Sequence, residues 1–196
     1  MRIGDAAEVR SGLVLARKSS RTPTSYRYPL LNLRSINDDG YINTDDLDLF
    51  YAAEALQNDY VSRVGDIIIR LSAPYTAVLI DDGTAGMVIS SNFAIIRTDQ
   101  QQIVPSYLYW LLNTPKVKKQ IYENTTSNML AAIKPMYFSD FDIFLLPLEK
   151  QQIIGEMNLL RCRENALLRK LADERYRYTA LLIDKAQNEM RRSSDI

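Results

Sequence analysis

The chain of 196 residues carries 24 basic and 24 acidic side chains, so its net charge indicates no class of partner. It has no histidine and a single cysteine, Cys162, which excludes a histidine-dependent nucleophile, a Cys/His zinc site and a disulfide framework. No apolar run approaches the ~18 residues of a membrane span, and the N-terminus lacks the apolar stretch of a signal peptide. We therefore expect a soluble, cytoplasmic protein.

The first 60 residues are predicted to form short strands joined by polar loops. Residues 1–12 fit a short strand or a turn of helix, and residues 13–28 form a basic loop rich in turn residues. Residues 29–36 are a strand candidate that ends at the turn signal Asn37–Gly40. Residues 44–58 are acidic and are expected to form a loop with one helical turn.

The middle of the chain carries the strongest strand signal. The dipeptide Gly65-Asp66 makes a turn, and the β-branched run from Ile67 to Ile69 follows it. Residues 76–98 continue as short strands that are separated by turn residues. This region is therefore predicted to be rich in strands.

Small helices are predicted after residue 105. Residues 106–113 have the pattern of a short amphipathic helix, and Thr114 with Pro115 marks the N-cap and first position of a second helix. Residues 125–135 are predicted to form a loop, and residues 141–148 a last strand. Strands and helices in this order predict an α+β fold class.

The chain ends in a predicted long helix, residues 148–192, which follows a domain that spans residues 1–147. A helix of about forty residues is about 60 Å long, which exceeds the width of a small domain. Its apolar residues recur at heptad spacing, which predicts a coiled-coil contact with a partner or with a second copy of the chain. This helix stripe consists of Ile153, Met157, Leu160, Leu167, Leu171, Tyr178 and Leu181. The alternative is a helix that folds back on its own domain; residues 193–196 are predicted to form a disordered tail.

Charge is unevenly distributed along the first 60 residues. Residues 1–34 contain seven Arg or Lys, whereas residues 35–60 contain seven Asp or Glu and no basic residue. A basic face beside an acidic one is compatible with nucleic-acid binding, and equally with an ordinary protein surface.

No arrangement of residues indicates catalysis. The seven glycines form neither a dinucleotide-binding fingerprint nor a phosphate-binding loop. The acidic pairs Asp38-Asp39, Asp45-Asp46 and Asp81-Asp82 lie among turn residues, so we interpret them as solvated turns rather than metal ligands. We therefore expect no catalytic residue, no metal site and no cofactor in this chain.

Four stretches, by their order and spacing, resemble the specificity (S) subunit of type I restriction-modification enzymes. They are GDAAEVRSG, VGDIIIRLSA, the segment from Val104 to Met157, and Pro147 followed by Glu-Lys-Gln-Gln-Ile-Ile. The third resembles the part that closes a target-recognition domain, and the fourth resembles the start of the family's spacer helix. A full S subunit has two such domains and two such helices, so this chain resembles a half-size form or one half of a split subunit. The family's glycine-containing loop differs here, since residues 71–75 read LSAPY.

The resemblance implies that the chain is a non-catalytic subunit that recognises a sequence in double-stranded DNA. It would direct an adenine-N6 methyltransferase that uses S-adenosylmethionine, and a nuclease that uses ATP and magnesium, both on other chains. The implied partners are DNA, methyltransferase subunits, a restriction subunit and, through the helix stripe, a second copy. No membrane partner is expected.

Candidate DNA contacts follow from the side-chain types of loop residues, because cations suit phosphates and mixed donors and acceptors suit base edges. Suited to phosphate are Arg17, Lys18, Arg21 and Lys134, with Lys116, Lys118 and Lys119 next in line. Suited to base edges are Arg70, Ser72, Tyr75, Ser127 and Asn128.

Two other functions stay open from the sequence. The chain is alternatively a coiled-coil protein-interaction module that does not bind DNA, or the recognition chain of a different DNA-modification system. Binding to random duplex at low salt separates the first alternative from the S-subunit interpretation.

Overall fold

The computed structural model describes residues 1–126 and 133–194, and its mixture of sheets and helices confirms the predicted α+β class. The strands are β1 (Ala7–Ser11), β2 (Arg27–Leu31), β3 (Asp48–Tyr51), β4 (Ile67–Arg70), β5 (Ala77–Leu79), β6 (Val88–Ile89) and β7 (Phe93–Thr98). The helices are α1 (Pro105–Leu112), α2 (Pro115–Thr126), α3 (Pro135–Ser139) and α4 (Leu148–Ser194). The chain divides into two compact units, Met1–Leu159 (unit 1) and Leu160–Ile196 (unit 2).

The strands of unit 1 form two sheets. The four-stranded sheet has the order β1-β7-β4-β5, and every neighbouring pair in it is antiparallel. The three-stranded sheet has the order β3-β2-β6, in which β6 runs parallel to β2. Ile68 marks the register of the larger sheet, since it pairs with Val78 of β5 and Ile95 of β7.

The two sheets share one hydrophobic core. The core cluster contains Ile68 of β4 and Ile95 of β7 together with Leu31 of β2 and Ile89 of β6. The neighbours of Ile68 in β4 are also fully buried, and they point to the opposite face because side chains alternate along a strand. Helix α1 packs against β4 and β5. Burial on both faces explains why β4 is an unbroken run of isoleucines.

Two segments differ from the sequence prediction. Asp48–Tyr51 forms strand β3, paired antiparallel with β2, where a loop with one helical turn was expected. The predicted strand at 141–148 is wrong, since it makes only one isolated bridge, between Asp142 and Arg2. A strand needs a partner of matching length, and the N-terminal segment instead turns into a 3-10 helix at Ile3–Asp5.

The N-terminus of unit 1 lies against the segment that leads to α4. The N–H of Ile3 donates to the carbonyl oxygen of Phe141 at 3.0 Å, and the N–H of Ile143 donates to that of Met1 at 2.9 Å. These bonds bring the first and last parts of the domain's core together.

One buried glutamine fixes the first turn of α4 to the domain. The side chain of Gln151 is almost completely buried. Its Nε2 donates to the carbonyl oxygens of Gln102 at 3.1 Å and Leu146 at 2.7 Å, and its Oε1 accepts from the N–H of Val104 at 3.0 Å. The amide therefore joins the segments that precede α1 and α4.

The only glycine of α4 lies where this helix approaches α1. A Cβ atom on Gly155 would lie 2.1 Å from Oγ of Ser106 and 3.0 Å from the backbone nitrogen of Tyr107. Glycine costs about 1 kcal/mol in a helix interior relative to alanine. Close packing of the two helices explains its presence here.

A buried ion pair joins β4 to β7. The carboxylate of Asp66 accepts from Nε of Arg97 at 2.9 Å and from its Nη2 at 3.2 Å, and it also accepts from the backbone N–H of Arg63 at 2.9 Å. The side chains of Asp66 and Arg97 are only 4% and 15% exposed. Both charges are thus paired inside the domain.

We expect Asp66→Ala to lower the free energy of unfolding by about 3–5 kcal/mol, because it leaves the Arg97 cation nearly buried without its main partner. The control is Glu54→Ala, since Glu54 pairs with Lys18 at the surface; it should cost less than about 1 kcal/mol. Urea denaturation of both variants measures the difference. Equal stabilities would contradict the assigned role of Asp66.

We expect Gly155→Ala to destabilise unit 1 by about 1–3 kcal/mol, because the new methyl group overlaps Ser106 and forces α1 and α4 apart. The matched control is Gly83→Ala in an open turn, where a Cβ meets only Oδ1 of Asp81 at 3.5 Å. That substitution should change stability by less than about 1 kcal/mol. Thermal or urea unfolding compares the two; a Gly155→Ala variant as stable as the parent would rule out the close-packing explanation.

Candidate nucleic-acid interface

The β4–β5 hairpin of unit 1 carries three of the residues predicted to contact bases. Its tip is closed by bonds from the N–H of Arg70 to the carbonyl oxygen of Thr76 at 3.1 Å and from the N–H of Tyr75 to that of Ser72 at 3.0 Å. A cis peptide bond precedes Pro74, and Tyr75 adopts a left-handed backbone conformation with φ of 54°. The tip is therefore a tight, internally bonded turn.

Arg70 is a half-buried cation at the end of β4, where the hairpin tip begins. Three arginines in the described part of the chain are half-buried, and the other two, Arg10 and Arg97, form ion pairs. Arg70 makes no ion pair with any described residue, and its Nε is buried without a hydrogen-bond partner. Buried polar groups are normally bonded, so the position of this guanidinium is not explained by contacts within the domain.

Lys118 of α2 reaches the same hairpin as Arg70. Its Nζ is 3.4 Å from Oγ1 of Thr76, the buried residue that ends the hairpin tip. Burial lowers the pKa of Lys118 below its ordinary value, the nearby charge of Arg70 lowers it further, and Asp38 and Asp39 oppose this shift. Two cations and two carboxylates from three segments, namely Arg70, Lys118 and the turn with Asp38 and Asp39, therefore form one group, called here the charge cluster.

Helix α1 holds the segments that carry the charge cluster. The hydroxyl of Tyr109 donates to the carbonyl oxygen of Gly40 at 3.0 Å, which fixes the turn that contains Asp38. The side chain of Asn113, at the end of α1, bonds both backbone groups of Ala77 in β5, at 3.2 and 2.9 Å. Gly40 has φ of 82°, a conformation that glycine adopts without strain. The acidic turn and the hairpin are thus held by one helix.

Other base-edge candidates are less favourably placed. Tyr75 is only 6% exposed, so its ring offers little surface to a base and acts in packing. Ser72 is half-buried at the hairpin tip. The predicted contacts Ser127 and Asn128 lie outside the described residues.

Lys134 is exposed close to the same hairpin. It is the N-cap of α3, and the N–H of its neighbour Ile133 donates to the carbonyl oxygen of Leu71 at 2.8 Å. The structure therefore places Lys134 next to the segment that follows Arg70.

The basic loop lies next to a different sheet. The N–H of Ser20 donates to the carbonyl oxygen of Tyr51 in β3. Arg17 and Arg21 are exposed, but Lys18 forms an ion pair with Glu54, which lowers the pKa of that carboxyl group. Of the three phosphate candidates in this loop, Lys18 is thus already paired within the domain.

A cleft beside β1 is poorly suited to a polyanion. Its lining combines the carboxylates of Asp5, Glu8 and Asp99 with the already paired Arg97. No group of acidic or cysteine side chains in the described part of the chain is arranged to hold a metal ion. No helix among the described residues is long and apolar enough to cross a membrane.

The residues of the helix stripe are all more than half exposed. Two of them, Ile153 and Met157, belong to unit 1, and the other five belong to unit 2. A second set of exposed apolar residues, Tyr176, Ile183 and Met190, recurs every seven residues in unit 2. At 100° per residue this second set lies on a different side of the helix from the stripe.

Comparisons with known proteins identify the fold. No family model matches the sequence, and no curated protein matches it either. The chain is similar to a solved structure described as showing complex assembly and conformational transition of the type I R-M system, with a TM-score of 0.65 and 20% identity over 97% of this chain and 48% of that one. It is also similar to the HsdS subunit from Thermoanaerobacter tengcongensis, with a TM-score of 0.60 and 23% identity over 88% of this chain and 44% of that one.

These similarities concern the fold, because both identities are low. The chain spans about half the length of the solved structures it matches. The chain thus has a fold that is found in part of the HsdS subunit.

Proposed function

We propose that this chain recognises a DNA sequence as the specificity subunit of a type I restriction-modification complex, in a half-size form. The observation that carries the proposal is the fold similarity over 97% of the chain, which includes both the domain and the long helix. In this function unit 1 binds DNA, and the adenine-N6 methyltransferase and the ATP-dependent nuclease are separate chains. S-adenosylmethionine, ATP and magnesium bind to those chains.

The surface of unit 1 supports a role in recognition rather than in strong nonspecific binding. Unit 1 carries 15 basic and 18 acidic side chains, so its attraction to any DNA is modest and depends on a few exposed cations. Arg17 and Arg21 supply such cations for phosphates, and the hairpin supplies polar groups for base edges. A complex with partner chains is therefore expected to bind DNA more tightly than this chain alone.

The exposed helix stripe supports self-association. Leucine and tyrosine side chains at heptad spacing lose their contact with water when two helices pack together, which is the main source of coiled-coil stability. In the proposed complex two copies pack through the stripe and present two identical domains to DNA. The target would then be an inverted repeat.

The second set of apolar residues supports contact with another chain. Tyr176, Ile183 and Met190 lie away from the stripe, so a two-helix contact through the stripe leaves them uncovered. In the proposed complex they pack against the methyltransferase chain.

The alternative is a protein-interaction module that does not touch DNA. Zero net charge and the exposed apolar residues of α4 favour this alternative. A gel shift with random-sequence duplex at low salt separates the two: the specificity subunit retards the duplex, and the interaction module does not.

We expect the double variant Arg17→Ala, Arg21→Ala to weaken binding to all duplexes alike. Each lost phosphate contact flattens the slope of log affinity against log salt concentration by about 0.9, so the double variant should flatten it by up to ~1.8. Lys18→Ala should have a smaller effect, because Lys18 is paired with Glu54. Arg34→Ala is the control, since Arg34 is exposed but paired with Asp48. An unchanged slope in the double variant would show that Arg17 and Arg21 do not contact phosphates, and that another face of the domain binds the DNA backbone.

We expect Leu167→Asp combined with Leu171→Asp to convert a dimer into a monomer, because two carboxylates would be buried in the contact between helices. Gln187→Glu is the matched control, since it adds a negative charge at an exposed position of the same helix outside the stripe. Light scattering at micromolar concentration measures the mass of each variant. A parent protein that is monomeric under these conditions would contradict self-association through the stripe.

A further inference from the structure

We propose that the charge cluster reads one G·C base pair in the major groove, with Arg70 and Lys118 donating to guanine and Asp38 accepting from cytosine. The inference rests on the proposed function and adds to it the kind of base pair that is read. It also adds two residues to the base contacts. From side-chain type alone, Lys118 was assigned to phosphate and Asp38 to a solvated turn.

The first step concerns Arg70. A half-buried guanidinium loses part of its contact with water. In the two other half-buried arginines, Arg10 and Arg97, ion pairs with carboxylates replace those lost contacts. Arg70 has no such partner among the described residues. Its backbone is fixed by the bond to Thr76, so the side chain starts from a defined place at the hairpin tip. A fixed, unpaired donor group of this kind suits a ligand that brings acceptors.

The second step concerns the kind of acceptor. Arg70 and Lys118 together would attract a phosphate, but the turn with Asp38 and Asp39 packs against the same hairpin, since a Cβ on Gly40 would lie 2.7 Å from the carbonyl oxygen of Ala77. Two carboxylates next to two cations cancel most of the attraction for a phosphate, which offers acceptors only. A ligand with both acceptors and a donor satisfies such a mixed group better.

The third step concerns the base pair. In the major groove guanine presents two acceptors, N7 and O6, and its partner cytosine presents the N4 amino donor. Arg or Lys suits the first pair of atoms, and a carboxylate suits the amino group. Asp38 is exposed, and Tyr109 holds the turn on which it lies. The cluster thus offers the donors and the acceptor that a G·C pair requires.

The test is selection of bound duplexes from a random-sequence library by the full chain, followed by binding measurements on the selected sequence. We expect one position of the selected motif to be G·C with the parent protein. Arg70→Met, Lys118→Met and Asp38→Ala should each relax the preference at that same position and weaken binding of the selected duplex by about 5- to 150-fold, the range that corresponds to ~1–3 kcal/mol per good base contact.

The control and the salt dependence separate the possible outcomes. Lys150→Met, an exposed lysine of α4, should leave the motif unchanged, and Arg70→Lys tests whether a cation of different shape restores the preference. Loss of affinity for all sequences alike, with a flatter salt slope, would overturn the inference and assign the cluster to phosphate. Variants that keep the parent motif would overturn it as well. A parent protein that selects no motif would instead refute the proposed function.

Discussion

The architecture of unit 1 depends on one buried side-chain amide, that of Gln151, which hydrogen-bonds backbone groups from two separate segments. The segments before α1 and before α4 are irregular, and backbone groups withdrawn from water need a hydrogen-bond partner. Gln151 bonds the backbone of Gln102, Val104 and Leu146. It thereby fixes the start of α4 against the start of α1, and the missing side chain of Gly155 allows the two helices to touch.

Helix α1 connects the Gln151 contacts to the candidate interface, because the same helix also holds the hairpin and the acidic turn. From one side it packs on β4 and β5, and through Tyr109 and Asn113 it bonds the acidic turn and the hairpin. Arg70, Lys118 and Asp38 come from segments far apart in the chain, but each segment is held by contacts to this part of the domain. A polar group preorganised in this way loses little conformational entropy on binding, which favours discrimination between ligands over strength of binding.

Local signals in the sequence were sufficient for the elements with strong periodicity or propensity. The isoleucine run of β4, the amphipathic pattern of α1, the proline-marked start of α2 and the long α4 all follow from neighbouring residues, and the structure has each of them. Residues 141–148 have strand propensity but no partner strand, which only the tertiary structure reveals. The same holds for the candidate site: side-chain type selected Lys18 and Tyr75, but the ion pair to Glu54 and the burial of the ring depend on long-range packing. Likewise, no short motif could predict that Arg70 and Lys118 reach the same hairpin, because they lie far apart in the sequence.

The contact between the first residues and residues 141–143 has a consequence for the evolution of the chain. A domain whose entry and exit lie close together tolerates exchange or insertion as a unit, here provided that the first turns of α4, with Gln151 and Gly155, go with it. Recombination in the flanking segments therefore replaces one such domain by another, or places two in series on one polypeptide, with little disturbance of either core. Unit 1 thus has the geometry of a domain that can be exchanged as a whole.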